Sequence, residues 1–271
     1  TGKELFAHAI HDLSSRCEER FVAVNCGALP DTLLESELFG YEKGAFTDAR
    51  RDKPGLFCMA NGGTLLLDEI SEMDPALQVK LLRVLNNGEY QPLGSTKAMR
   101  TDARILAATN ADLEGAIASG TFREDLYFRI NVVGLEIPPL RERPADIPLL
   151  VDHFMKKFRK KTRKSIRRMA PDALTALRRY AFPGNVRELE NAIEHAFVMC
   201  HEDAIRAEHL PAVITRQGAV TNGVTADRKS EKEVITEVLR RHGGNRTKAA
   251  EELGIHRTTL WRKAKSYGFI D

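Results

Sequence analysis

The sequence predicts an α/β fold: a parallel-sheet core, a helical subdomain after it, and a small all-α module at the C-terminal end. Three observations predict it. The run Thr64-Leu65-Leu66-Leu67-Asp68-Glu69 is short and apolar, follows Gly62-Gly63, and ends abruptly in two acids. Such a run reads as a strand buried on both faces, at the centre of a parallel sheet. Two more runs, Phe21–Cys26 and Ala103–Asn110, also finish in polar residues, and from residue 146 the apolar spacing becomes helical.

A chain of 271 residues, 42% hydrophobic and 29% charged, can bury one α/β core and a smaller domain. The net charge of +3 is uneven: residues 228–271 carry eleven Lys/Arg against six Asp/Glu. A basic tail on a near-neutral body points to a polyanion partner for the tail alone. The four cysteines, Cys17, Cys26, Cys58 and Cys200, form no CxxC pair, so neither a disulfide framework nor a zinc site is expected. No run approaches eighteen apolar residues, so no membrane span is expected and the chain reads as cytoplasmic.

Gly2-Lys3-Glu4 opens a helix on which Leu5, Phe6, Ala9, Ile10 and Leu13 share a face. Gly-Lys at a helix start has the form of the second half of a phosphate-binding loop, with Lys3 reaching the β- and γ-phosphates. The strand Phe21–Cys26 carries Asn25 near its carboxyl end. In parallel sheets the ligand sits at the carboxyl ends of the strands. Asp68 and Glu69 fall there, suited to holding Mg²⁺ and polarising an attacking water, respectively. Leu77, Leu81, Leu82 and Leu85 form a helical core stripe, and Gly88–Arg100 reads as a hairpin-like insertion. Arg123 and Arg129 lie six apart; in isolation they read as surface salt bridges.

Residues 35–49, with Gly40 and Gly44 interrupting a helix, present Phe46 in a small polar surround, as a contact residue rather than a core one. The segment Glu37–Ala49 closely resembles the signature ELFGHEKGAFTGA of bacterial enhancer-binding proteins, the AAA+ activators of sigma-54 RNA polymerase. Tyr41 replaces its histidine, and Asp48 replaces a glycine, adding a side chain and a negative charge.

The resemblance implies an AAA+ P-loop NTPase core with a helical lid, using ATP and Mg²⁺. Gly2, Lys3 and Glu4 then match the end of Walker A, and Asp68-Glu69 matches Walker B, with Asp68 as the metal ligand. Asn25 matches a residue that couples the Walker B glutamate to the nucleotide state. Gly44, Ala45, Phe46, Thr47, Asp48 and Ala49 match the sigma-54 contact loop, and the 88–100 hairpin matches a second sigma-facing loop. Asn110 matches sensor I, and Arg187 matches sensor II. Arg123 and Arg129 match arginine fingers that enter the neighbouring subunit's ATP site. That arrangement implies a homo-oligomer, from dimer to closed hexameric ring.

Beyond Pro138–Arg143, helices are expected over Ile147–Phe158, Pro171–Tyr180 and Val186–Met199. Arg187, near a helix start, opposes the helix dipole, which suits a nearby anion. Residues 156–168 hold nine Lys/Arg and no acid, a charge run read as a solvated helix and loop. Three short helices are expected over 230–242, 246–253 and 257–267, with a tight turn at Leu253-Gly254-Ile255. This tail resembles the Fis-type helix-turn-helix module. His256, Arg257, Thr259 and Arg262 match its DNA-contacting positions, with Thr258 and Lys265 as phosphate contacts.

The expected organisation is an α/β subdomain over 1–140, a lid over 141–214, a linker over 215–229 and a DNA-binding domain over 230–271. The expected function is sigma-54-dependent activation: enhancer DNA is bound, and ATP hydrolysis in a ring remodels the closed promoter complex of sigma-54 RNA polymerase. The alternative is a repressor of the same family with a defective ATPase or sigma contact.

Overall fold

A computed structural model describes residues 2–162 and 164–219. The chain divides into two compact units, residues 1–211 and 212–271. The helical tail expected over 230–271 lies outside the described residues. So do its DNA-binding candidates His256, Arg257, Thr258, Thr259, Arg262 and Lys265.

The first unit is built on three parallel strands, β1 (Phe21–Asn25), β2 (Thr64–Asp68) and β3 (Arg104–Ala108), in the order β1-β2-β3. The register sets Asn25 level with Asp68, and Asp68 level with Ala108. β2 is central, and Thr64 to Leu67 are all buried, as its apolar run demands. Leu65 and Leu67 join Leu34, Leu38, Phe57, Ile70, Leu81 and Leu126 in the core.

β3 departs from the expected buried strand: Arg104 and Ala107 are exposed and its other residues half-buried. Among the described residues it pairs only with β2, and its far side borders an open cleft of about 1120 Å³.

Helix α1 (Lys3–Asp12) also departs from its expected packing. Leu5, Phe6, Ala9 and Leu13 are exposed and Ile10 is half-buried, whereas Ala7 and His11 are buried. The small Ala7 allows a close approach, and His11 Nδ1 sits 2.9 Å from Thr64 Oγ1, at the start of β2. A hydrogen bond to the sheet, not the larger apolar stripe, fixes the inward face; Phe6 and Ile10 line the cleft beside β3.

Helix α2 (Asp31–Phe39) stops at Gly40, whose φ of 75° is costly for any other residue and where a Cβ would lie 2.4 Å from Lys53 O. Residues 40–41 then pair antiparallel with 53–54. Helix α3 (Pro75–Asn87) has strong local signals at both ends. Asp74 Oδ1 accepts from Ala76 N at 2.7 Å, Pro75 occupies the first turn, and Gly88 closes the helix in the left-handed region. Residues 89–90 and 99–100 pair antiparallel, forming the hairpin expected of 88–100. Helix α4 (Glu124–Ile130) packs against α3 through the buried Leu126.

The helical subdomain comprises α5 (Ile147–Thr162), α6 (Pro171–Arg179) and α7 (Asn185–Met199). Phe158 of α5 and Phe197 of α7 bring their ring centroids to 5.8 Å. The basic run is more than a solvated face. Lys157 pairs with Glu190 at 2.6 Å and Lys161 with Glu194 at 2.9 Å, joining α5 to α7. Lys164 Nζ donates to the carbonyls of Phe197, Val198 and Cys200, capping the C-terminal end of α7 where a cation suits the dipole.

In the second unit the described residues form helix α8 (Ala212–Ala219), so the stretch expected as linker begins in helix. Among the described residues, no helix is long and apolar enough to cross a membrane.

Candidate functional site

The carboxyl end of β2 gathers the first group of candidates. Lys3, in the first turn of α1, sets its Nζ 3.5 Å from Asp68 Oδ1 and 3.3 Å from Glu69 Oε1. All three side chains are largely shielded, so the pairing is stronger than a surface ion pair. Gly2 caps the helix with φ 97°. Glu4 is exposed beside it.

Glu69 holds φ 54° and ψ 46°, a left-handed conformation that costs a non-glycine residue about 1–2 kcal/mol. Strain of this kind gathers at functional sites. Asp68 Oδ1 is shut off from solvent and has no hydrogen-bond partner. The Lys3 ammonium at 3.5 Å offsets its charge but makes no hydrogen bond to it, and a bound cation is one way of completing its coordination. Among the described residues, no cluster of three His, Cys, Asp or Glu could hold a metal. A hard divalent ion held by one carboxylate, waters and phosphate oxygens fits this donor set.

Asn25 lies level with Asp68 on the neighbouring strand, but its Oδ1 accepts from Gly27 N at 2.9 Å. Its amide oxygen is therefore used in a local turn. Cys26, buried behind the acids, donates its backbone N–H to Asp68 O at 2.8 Å. Burial, with Asp68 and Glu69 nearby, pushes its thiol up to about 12, so it is a neutral packing group.

Asn110 is exposed two residues beyond β3 and shares the cleft with Lys3 and Arg129. The preceding Thr109 donates through Oγ1 to Ser71 Oγ at 2.9 Å, tying this loop to the turn after Glu69.

The two arginines stand apart from each other. Arg123 caps α4 and forms a two-point pair with Asp125, Nε to Oδ1 at 2.9 Å and Nη2 to Oδ2 at 2.6 Å. That hydrogen-bonded guanidinium holds the Asp125 carboxyl below its usual range. Arg129 donates through Nε and Nη2 to Leu85 O, at 3.2 and 2.7 Å. Arg187 is exposed in the first turn of α7. Asn185, which starts that helix with φ 52°, accepts from Leu140 N at 2.9 Å and lines the cleft.

The loop of residues 44–49 is closed by Gly44 N donating to Ala49 O at 2.9 Å and Ala49 N donating to Phe46 O at 3.0 Å. Phe46 is 42% exposed and meets Tyr41 edge-on, with centroids 4.8 Å apart. Thr47 and Asp48 are exposed, whereas Ala49 is buried: its methyl group is a packing element, not a presented surface. The loop is also fastened to the 88–100 hairpin. Glu42 N donates to Leu93 O, Leu93 N donates to Gly40 O, and a Cβ on Gly94 would strike Ala45 at 2.8 Å.

Sequence reasoning passed over Gln78, Ser71 and Asn185. Gln78 carried a signal: a polar residue inside the Leu77–Leu85 stripe, at the spacing of the core positions Leu81, Leu82 and Leu85.

Residues 1–136 match the Sigma-54 interaction domain. The chain belongs to that family. Residues 141–226 match the AAA+ ATPase lid domain, and residues 228–267 match the Fis family of bacterial regulatory proteins. Among its relatives, Regulatory protein AtoC of Escherichia coli (strain K12) is 48% identical over 279 residues, covering 99% of the chain and 60% of AtoC. Transcriptional regulatory protein ZraR of the same organism is 47% identical, covering 97% and 60%. The crystal structure of NtrX from Brucella abortus in complex with ATP superposes with a TM-score of 0.71 at 38% identity, covering 98% of this chain and 61% of that one. The sequence thus spans about three-fifths of the length of the relatives it matches.

Proposed function

We propose that this chain is the ATP-hydrolysing and DNA-binding part of a cytoplasmic sigma-54-dependent transcription activator. The observation that carries the reading is the constellation of Lys3, Asp68 and Glu69 at the end of β2, with Asp68 Oδ1 buried, ion-paired to Lys3 at 3.5 Å and accepting no hydrogen bond. The family membership of residues 1–136 and the ATP held by NtrX support it.

In this reading the backbone at Gly2 and the ammonium of Lys3 receive the β- and γ-phosphates of ATP. Asp68 would hold Mg²⁺, which supplies charge neutralisation on the phosphate oxygens when bound. Glu69 accepts the proton of the attacking water, Asn110 orients that water, and Asn25 links Glu69 to the state of the nucleotide. Arg187 reaches the phosphates from the lid. Arg123 and Arg129 of an adjacent subunit neutralise charge as the phosphoryl group departs, which requires a ring of heterologous contacts. The Phe46 loop, fastened to the 88–100 hairpin, transmits the cycle to sigma-54, and residues 230–271 hold the ring near the promoter on enhancer DNA.

The test is promoter opening. The full-length protein, with ATP and sigma-54 RNA polymerase, is expected to convert a closed promoter complex into one with reactive single-stranded thymines. DNA binding with no opening at any ATP concentration would favour the repressor alternative.

A further inference from the structure

Gln78, on the first turns of α3, is wholly buried, a rare place for an uncharged polar chain unless its hydrogen bonds are made. Its Nε2 donates to Met73 O at 2.8 Å and to Thr121 O at 3.0 Å, and its Oε1 accepts from Arg123 N at 2.8 Å. Two carbonyls and one amide N–H admit only this orientation of the carboxamide. The partners come from two separate segments. Met73 closes the turn that follows Asp68-Glu69, and residues 121–123 lead into α4.

The bond to Arg123 has a particular consequence. Arg123 caps α4 with extended backbone, so its N–H finds no partner within the helix. Gln78 supplies that partner, while the adjacent Phe122 is buried in the core. The backbone from which the Arg123 guanidinium emerges is thereby fixed at two successive residues. A leucine or methionine would fill the same volume but take this partner from three backbone groups, one of them, Met73 O, in a buried bond.

We infer that Gln78 is a positioning residue for Arg123: it sets the angle at which that guanidinium is presented to a neighbouring subunit, and it joins that presentation to the turn behind the subunit's own Asp68-Glu69 pair. The inference rests on the reading of Arg123 as acting across a subunit interface. Gln78 touches no reacting atom and acts only through the arginine it seats.

Subunit mixing in full-length rings tests it. Gln78→Met is expected to lower kcat for ATP by roughly 10- to 100-fold while KM stays within about twofold, as for a misplaced catalytic group. Rings of Gln78→Met with Glu69→Gln subunits should regain turnover, because an intact Glu69 then faces a well-seated Arg123. Rings of Gln78→Met with Arg123→Ala subunits should gain no turnover over Gln78→Met alone, because no well-seated arginine is present. Gln78→Glu keeps the acceptor for Arg123 N but sets its second oxygen against two carbonyls, so it should also lose turnover and show the same pattern of rescue. Rescue by Arg123→Ala instead, a wild-type rate for Gln78→Met, or a subunit rescued by neither partner would overturn the assignment. The control ring of Arg123→Ala with Glu69→Gln separates the two readings. If it is active, any such failure belongs to Gln78 alone; if it is inactive, the cross-subunit reading falls and this inference with it.

Discussion

The ammonium of Lys3 lies 3.3 Å from Glu69 Oε1, so the group proposed to receive phosphate is in contact with the group proposed to activate water. Without nucleotide, each neutralises the other. On the proposed function, an incoming phosphate would compete with two carboxylates for Lys3, and its arrival would release Glu69. Lys3→Ala is expected to weaken ATP binding by about 10- to 100-fold, the loss of a charge-assisted hydrogen bond. Titration of a fluorescent ATP analogue into the full-length protein measures it. Undiminished affinity would remove Lys3 from the phosphate site.

Arg123 and Arg129 are predicted to act in a neighbour's site, and their contacts here make the prediction specific. Arg123→Ala removes only a half-exposed, solvent-screened pair with Asp125, a contact of little weight in stability. Arg129→Ala removes two donors from Leu85 O. Each variant should therefore fold and assemble, and each should lose nearly all hydrolysis. Melting temperature, light scattering and steady-state turnover separate these outcomes. A normal rate in either variant would return that arginine to a surface role.

Phe46 is exposed and its ring rests on Tyr41 rather than in the core. Phe46→Ala should leave the melting temperature and basal ATPase unchanged and abolish association with sigma-54. Asp48→Gly, which removes an exposed negative charge from the same tip, should preserve or strengthen that association. Collapse of thermal stability in Phe46→Ala would show the ring to be a packing residue.

The elements that position the site were legible because their signals are local. The buried run Thr64–Leu67, the Leu77–Leu85 stripe of α3, and the apolar spacing of α5 and α7 need no knowledge of distant residues. What escaped depends on tertiary partners. The inward face of α1 is decided by His11 meeting Thr64, so exposed Leu5 and Leu13 outweighed it in the pattern. The basic run could not be paired with Glu190 and Glu194 before α5 was laid against α7. Ala49 read as part of a presented tip, but the loop folds back through Gly44 and buries it. The trio of Lys3, Asp68 and Glu69 was legible as separate residues with complementary chemistry; only the parallel register and the start of α1 bring them within contact.

Steady-state ATP turnover of the Glu69→Gln full-length protein, measured beside its ATP affinity, tests the central claim most directly. Glu69 is held in a strained left-handed conformation next to Asp68, with Lys3 against both carboxylates, and is proposed to accept a proton from water. Replacing the carboxylate with an amide is expected to keep ATP affinity and lower kcat by ~10²-fold or more, as removal of a general base does. An unchanged kcat would contradict the account.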